Sequence, residues 1–114
     1  MEKESATSVF ESLSSGARLD IFRLLVKAAP DGLVAGELST AIGMAPSNVS
    51  FHLKTLTHSR LVTVVQEGRF QRYRANLGLM HDVIGYLTEE CCAGHPERCD
   101  ETCNPLTPQP GELP

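Results

Sequence analysis

Tryptophan is absent, and four Phe and two Tyr supply all the aromatic surface, so the core of this 114-residue chain must be modest and mostly aliphatic. Long hydrophobic runs are missing too. A membrane-spanning helix needs roughly 20 consecutive apolar residues, and the best stretches here, Leu24-Leu25-Val26 and Leu61-Val62-Thr63-Val64-Val65, fall far short. The opening Met1-Glu2-Lys3-Glu4 has neither the basic head nor the apolar run of a secretion signal, so a cytoplasmic protein is expected. No glycine-rich phosphate loop, catalytic triad or pair of carboxylates at working distance can be picked out. Residues 1–90 contain no cysteine at all; every thiol lies in "EECCAGHPERCDETC", residues 89–103. In a reducing compartment such clustering points to metal binding or redox chemistry before disulfide staples. A catalytic thiol would want a helix N-terminus or neighbouring bases. Cys91 and Cys92 instead follow Glu89 and Glu90 at the end of an expected helix, so no enzyme is expected.

Charge is present but unevenly spread. Residues 15–75 carry eight Lys and Arg against four Asp and Glu, whereas residues 77–114 carry Arg98 alone against seven acids. The overall charge of −4 therefore conceals a basic middle suited to a polyanion. Apolar spacing predicts a short helix over 5–14 with Ser5 as cap. A second helix follows, with Leu19, Phe22, Leu25 and Val26 inward, Ile21 and Leu24 broadening the stripe, and Pro30 and Gly32 beyond its end. Leu33-Val34 reads as a very short strand. "AGELSTAIG" and "APSNVSFHLKTLTHSRL" read as two helices separated by Gly43-Met44-Ala45, with Pro46 suited to a first helical position. "LVTVVQEGRFQRYRA" switches to β-branched and aromatic residues and breaks at Glu67-Gly68, predicting a hairpin of 61–66 with 70–75. A last helix, "LGLMHDVIGYLTEECC", precedes a Pro-rich acidic tail. The expected division is a folded domain over 1–92 and a tail over 93–114.

Two short helices joined by a glycine turn and followed by a basic hairpin make a winged helix-turn-helix, mainly α with five helices and a two-stranded wing. In such modules the second helix enters the major groove and its first residues touch base edges. Here Ser47, Asn48, Ser50 and Phe51 lie off the Val49–Leu53–Leu56 stripe, and Lys54 is placed one turn on for a phosphate. Ser and Asn hydrogen-bond bases or phosphates, and Phe can meet a thymine methyl. Arg69 and Arg72, with Arg74, surround the hairpin tip and suit the DNA backbone or an adjacent minor groove. His52 is expected on the core side of its helix, and His58 near its C-terminal end is assigned no role.

Over roughly residues 8–90, through "ARLDIFRLL", "GELSTAIG", "SNVSFHLKTL" and "LVTVVQEGRFQRYR", the chain resembles the ArsR/SmtB metalloregulatory repressors, of the arsenic(III)-responsive type. The resemblance implies a homodimer joined through its first and last helices, seated on operator DNA until a metal or metalloid ion releases it. It places Ser47, Ser50 and Phe51 on the family's DNA-reading positions. The third is commonly His in relatives, so Phe51 departs from the pattern. Arsenic sensors of the family often carry Cys-x-Cys in the first helix of the helix-turn-helix, which "ELSTAIG" lacks. Zinc sensors often place Asp and several His along the last helix. Here only His81 and Asp82 occur, adjacent and about 100° apart around a helix.

The remaining donors are the late cysteines. As(III) and Sb(III) take three thiolates in a pyramid, with a lone pair in the fourth direction. Cys91 and Cys92 can converge if the helix frays, and Gly94 and Pro96 lie within the step to Cys99, which supplies the third sulfur. Cys103 is a possible substitute, at a greater entropic cost. Zinc or cadmium is the alternative, held by four thiolates or by three with His95. A third possibility is a redox-responsive repressor whose thiols form disulfides.

Overall fold

The computed structural model describes residues 1–100. The described chain divides into a compact unit over Met1–Val83 and a second that begins at Ile84.

The first unit starts with α1 (Lys3–Ser12) and α2 (Gly16–Lys27). Ser5 does not cap α1: the N-cap is Glu2 and makes no side-chain cap bond, because the helix begins one turn earlier than expected. Ser15 does cap α2, its hydroxyl accepting from the Arg18 amide. Along α2 the buried stripe is Ile21, Phe22 and Leu25, while Leu19 and Val26 are exposed. The observed stripe is the Ile21 side of the broad one the sequence predicts, and Leu19 and Val26 at its other margin face out.

After the two-residue strand β1 (Leu33–Val34) come α3 (Ala35–Ile42) and α4 (Pro46–His58). The Glu37 carboxylate accepts from the Val34 amide at 3.0 Å, occupying a donor that would otherwise lack a partner at the start of α3. Gly43 stops α3 in the left-handed conformation, φ 75°. Pro46 opens α4 where its missing N–H costs nothing. Strands β2 (Val62–Glu67) and β3 (Phe70–Ala75) form the hairpin, and β1 adds to the far edge of β3, giving the antiparallel order β1-β3-β2. Gly32 leads into β1 at φ +78°, and an added Cβ there would lie 2.2 Å from the Tyr73 carbonyl oxygen. Only glycine lets the loop approach β3 this closely.

Ile21, Leu25, Leu38, Val49, Leu53, Leu56 and Leu61 are essentially fully buried and form the centre of the core. Each such side chain contributes about 1.5–3 kcal/mol. One polar contact sits among them. The Ser59 hydroxyl just past α4 bonds the Ser12 hydroxyl at 3.0 Å, tying the end of α1 to the end of α4. Arg18 closes over the same place, its Nε donating to the Ser12 carbonyl at 2.6 Å. Asn76 caps α5 (Leu77–Thr88) through its Oδ1 and donates from Nδ2 to the Arg60 carbonyl.

Helix α5 ends at Thr88, before the cysteines that the sequence pattern had carried into it. Two 3₁₀ turns follow, Cys91–Gly94 and Pro96–Arg98. Cys92 and Ala93 take φ values of 57° and 55°, so a right-handed helix cannot continue through them.

Candidate nucleic-acid interface and thiol site

Helix α4 is anchored by Val49, Leu53 and Leu56, and that anchoring decides what it shows outside. Ser47, Asn48, Ser50, Phe51 and Lys54 are all exposed, as the helical register requires once the apolar triplet faces inward. Phe51 is 66% exposed, an unusual degree for a large apolar side chain. It is braced by His52, whose ring meets it edge-on at 5.7 Å and 71°. His52 itself is half-buried, on the inner flank of α4 as expected, and its Nδ1 is buried without a protein partner among the described residues.

The hairpin that follows is held as a rigid arm. Glu67 pairs with Phe70 across the tip, leaving Gly68 and Arg69 as the turn. Gly68 has φ +59° and open space around an added Cβ, so its need for glycine is conformational rather than steric. Arg69 is exposed at this turn. Arg72 points back toward the body: its Nε donates to Glu67 Oε1 at 2.9 Å and its Nη1 to the Gly32 carbonyl at 3.3 Å. Arg74 does likewise, donating to the Pro30 carbonyl at 3.1 Å, with Glu67 3.9 Å away. The Glu67 hydrogen bond, and then its charge, raises the Arg72 guanidinium above its already high ordinary value. Two of the three wing arginines thus fasten the wing. The sequence signal for this was Glu67 itself, which shares a face of the hairpin with Arg72 and Arg74 by strand alternation.

In the second unit, the left-handed step at Cys92 and Ala93 and the turn over 96–98 fold the chain back on itself. Ala93 bonds to the Glu90 carbonyl, His95 to that of Cys92 and Arg98 to that of His95. The result gathers three sulfurs. Cys91 Sγ and Cys92 Sγ are 3.7 Å apart, Cys92 and Cys99 3.7 Å, and Cys91 and Cys99 3.9 Å. The triangle is nearly equilateral, and an ion at about the 2.3 Å metal–thiolate distance fits just above its centre. Among the described residues it is also the one group of three or more His, Cys, Asp or Glu side chains close enough to share an ion. His95 is not in it; its Nδ1 contacts Glu97 Oε1 at 3.0 Å. His81 and Asp82 do not join such a group either. Cys103 lies outside the described residues. The donor set is soft and three-fold, and it suits a thiophilic ion rather than magnesium or calcium.

A family model described as a helix-turn-helix domain matches residues 13–65. No curated protein matches the chain. Among solved structures, the chain is 29% identical to an ArsR-like transcriptional regulator from Rhodococcus sp. RHA1, with a TM-score of 0.67 over 75% of this chain and 78% of that one. HlyU from Vibrio cholerae N16961 is 26% identical, with a TM-score of 0.63 over 81% and 99% of the two chains. The homodimeric winged helix-turn-helix DNA-binding domain of Mb0332 from Mycobacterium bovis, described as a possible ArsR-family transcriptional regulator, is also 26% identical. Its TM-score is 0.60 over 81% of this chain and 85% of that one.

Proposed function

We propose that this chain, which carries a helix-turn-helix domain and is similar to ArsR-like transcriptional regulators, is a repressor released from its operator by trivalent arsenic or antimony. The observation that carries the proposal is the Cys91–Cys92–Cys99 triangle, three sulfurs within 3.9 Å of one another. A three-coordinate pyramidal ion needs that number. Arsenous acid exchanges its three hydroxyls for three thiol sulfurs, and each thiol proton leaves with a hydroxyl as water. The product is As(SR)₃ and three waters, with no change in protonation or oxidation state.

The repressor works as a homodimer, the state stated for the Mycobacterium bovis domain. Phe10 of α1, and separately Ile84 and Leu87 of α5, are exposed apolar groups available to a second copy. Each protomer lays α4 in the major groove, with Ser47, Asn48, Ser50 and Phe51 at base edges and Lys54 and Arg69 on the backbone. Operator half-sites about 34–36 Å apart tolerate little error in the spacing of two recognition helices. Cys91 follows the end of α5 by three residues, so fixing the loop that joins Cys91 to Cys99 acts directly on a dimer helix. Release then requires only that the ion bind more tightly to the DNA-incompetent arrangement.

Zinc or cadmium is the second reading, favoured by one measurement. A tetrahedral site with about 2.3 Å bonds has sulfur–sulfur edges near 3.8 Å, close to those found. Fluorescence anisotropy of reduced protein on its own upstream DNA, titrated with arsenite and separately with zinc, separates the two. Release by arsenite but not zinc, abolished in Cys91→Ser, is the expected result. DNA binding indifferent to both ions would remove the sensor assignment and leave the regulator.

A further inference from the structure

Ser47, Asn48, Ser50, Phe51 and Lys54 lie together on the outward side of α4, and four of the five are polar. Phe51 stands among them at 66% exposure, the most exposed large apolar side chain of the described residues. Scattered apolar groups are ordinary on a protein surface; a phenyl ring in the middle of the face assigned to base edges is not. Resting on that assignment, we infer that Phe51 is a specificity-determining residue that recognises the C5-methyl group of a pyrimidine. Operator affinity then depends on thymine at one position of each half-site, or on methylation of a cytosine that stands there.

Three observations converge on this residue. The first is position. Phe51 follows Ser47 by one helical turn and precedes Lys54 by another, so a helix lying in the major groove presents the ring between a base-edge hydroxyl and a backbone cation. The second is reach. Ser47 and Ser50 end at a hydroxyl on Cβ, and the exposed ring stands clear of both. The third is support. The ring meets His52 edge-on at 5.7 Å and 71°, and His52 is itself half-buried on the inner flank of the helix. That contact limits how the ring can turn, so less ordering entropy is lost when it docks.

The selectivity follows from what the major groove presents. Guanine shows two acceptors there, adenine an acceptor and an amino donor, and cytosine an amino donor. A phenyl ring bonds none of these, and covering them strips them of water. The C5-methyl of thymine is the one apolar group on offer, and an apolar side chain gains by meeting it. 5-Methylcytosine carries the same methyl at the same ring position, whereas unmethylated cytosine leaves a gap of one methyl under the ring. One chemical group thus has two sources, a choice of base and a covalent mark on another base.

The test uses the full-length reduced protein and duplexes from its own upstream DNA. In one half-site, each thymine is replaced in turn by deoxyuridine, which lacks only the methyl, and each cytosine by 5-methylcytosine, which gains it. One position should respond, by about fourfold, the worth of one buried methyl. The base that occupies it tells which source the operator uses. At that position thymine should bind more tightly than deoxyuridine and 5-methylcytosine more tightly than cytosine, each by about the same fourfold. Phe51→Ala should weaken binding to the unmodified duplex and abolish both differences, whereas Phe51→Leu should keep part of them. Lys54→Ala should weaken binding to all duplexes and leave the differences standing. No responsive pyrimidine, or equality within either pair, overturns the inference and leaves DNA binding by α4 intact. A Phe51→Ala variant that still responds does the same. No binding to any duplex overturns both the inference and the assignment it rests on. Phe51 is exposed, so thermal melting of Phe51→Ala should match the wild type and exclude misfolding as the cause.

Discussion

Three cysteines and one glycine carry most of the residue-level consequences. Replacing Cys92 by Ser removes one corner of the sulfur triangle while leaving α4 and the wing untouched. Arsenite-induced release should disappear, with operator affinity in the absence of arsenite within about twofold of wild type, a difference below 1 kcal/mol; paired anisotropy titrations would show it. The ion can also be identified by its proton count. Arsenous acid displaces water from its own hydroxyls and should release no protons, whereas zinc displaces thiol protons. A pH-indicator titration in weak buffer should therefore stay flat with arsenite and acidify with zinc. Gly32 is the opposite kind of residue, needed for what it lacks. Gly32→Ala would put a Cβ 2.2 Å from the Tyr73 oxygen at a φ of +78°. Unfolding in urea should show a loss of at least about 2 kcal/mol, from backbone strain and overpacking together. The sequence pointed to Cys91, Cys92 and Cys99 as candidate donors because residue type and spacing carry that signal. It took Gly32 only as a helix terminator, since a close approach to Tyr73 depends on a strand 40 residues away.

At the scale of elements, the helix-turn-helix was legible and the wing's internal bonding was not. Pro46 and Gly43 punctuate α3 and α4 through local backbone rules, and the exposed face of α4 follows from three apolar residues. Arg72 was expected on DNA because charge alone cannot say which way an arginine turns; its partner Glu67 and the Gly32 carbonyl answer that only once the hairpin closes. Helix α5 stops four residues short of the expected end at Cys92 for a similar reason, because periodicity does not register a left-handed step at Cys92. Glu67→Gln should reduce operator affinity severalfold by loosening the wing. The pair is solvent-accessible and screened, so the thermal midpoint should change little. An operator binding constant equal to wild type at the same salt concentration would contradict this. Because Glu67 raises the Arg72 guanidinium, Arg72's contribution is present below the ordinary arginine range and lost only as pH rises beyond it. Wing-dependent affinity should therefore show no loss attributable to Arg72 between about pH 6 and 9.

For the whole molecule, the uneven charge is the governing quantity. A chain of net charge −4 binds DNA only if its basic residues are segregated, and residues 15–75 hold eight of the ten Lys and Arg. Operator affinity should fall steeply with salt, and Lys54→Ala should flatten the log–log slope by about one per protomer without changing which sequence is preferred. Anisotropy at several potassium chloride concentrations measures both. The sulfur triangle is the other global feature, and it is encoded within nine consecutive codons, Cys91 to Cys99, while no cysteine occurs in the ninety residues before it. A detector of the kind proposed above, written as one uninterrupted stretch, can be inherited, lost or transplanted in a single recombination event. In that respect the gene is built like a cassette: a lineage could exchange the signal it answers to and keep the address it occupies on the chromosome.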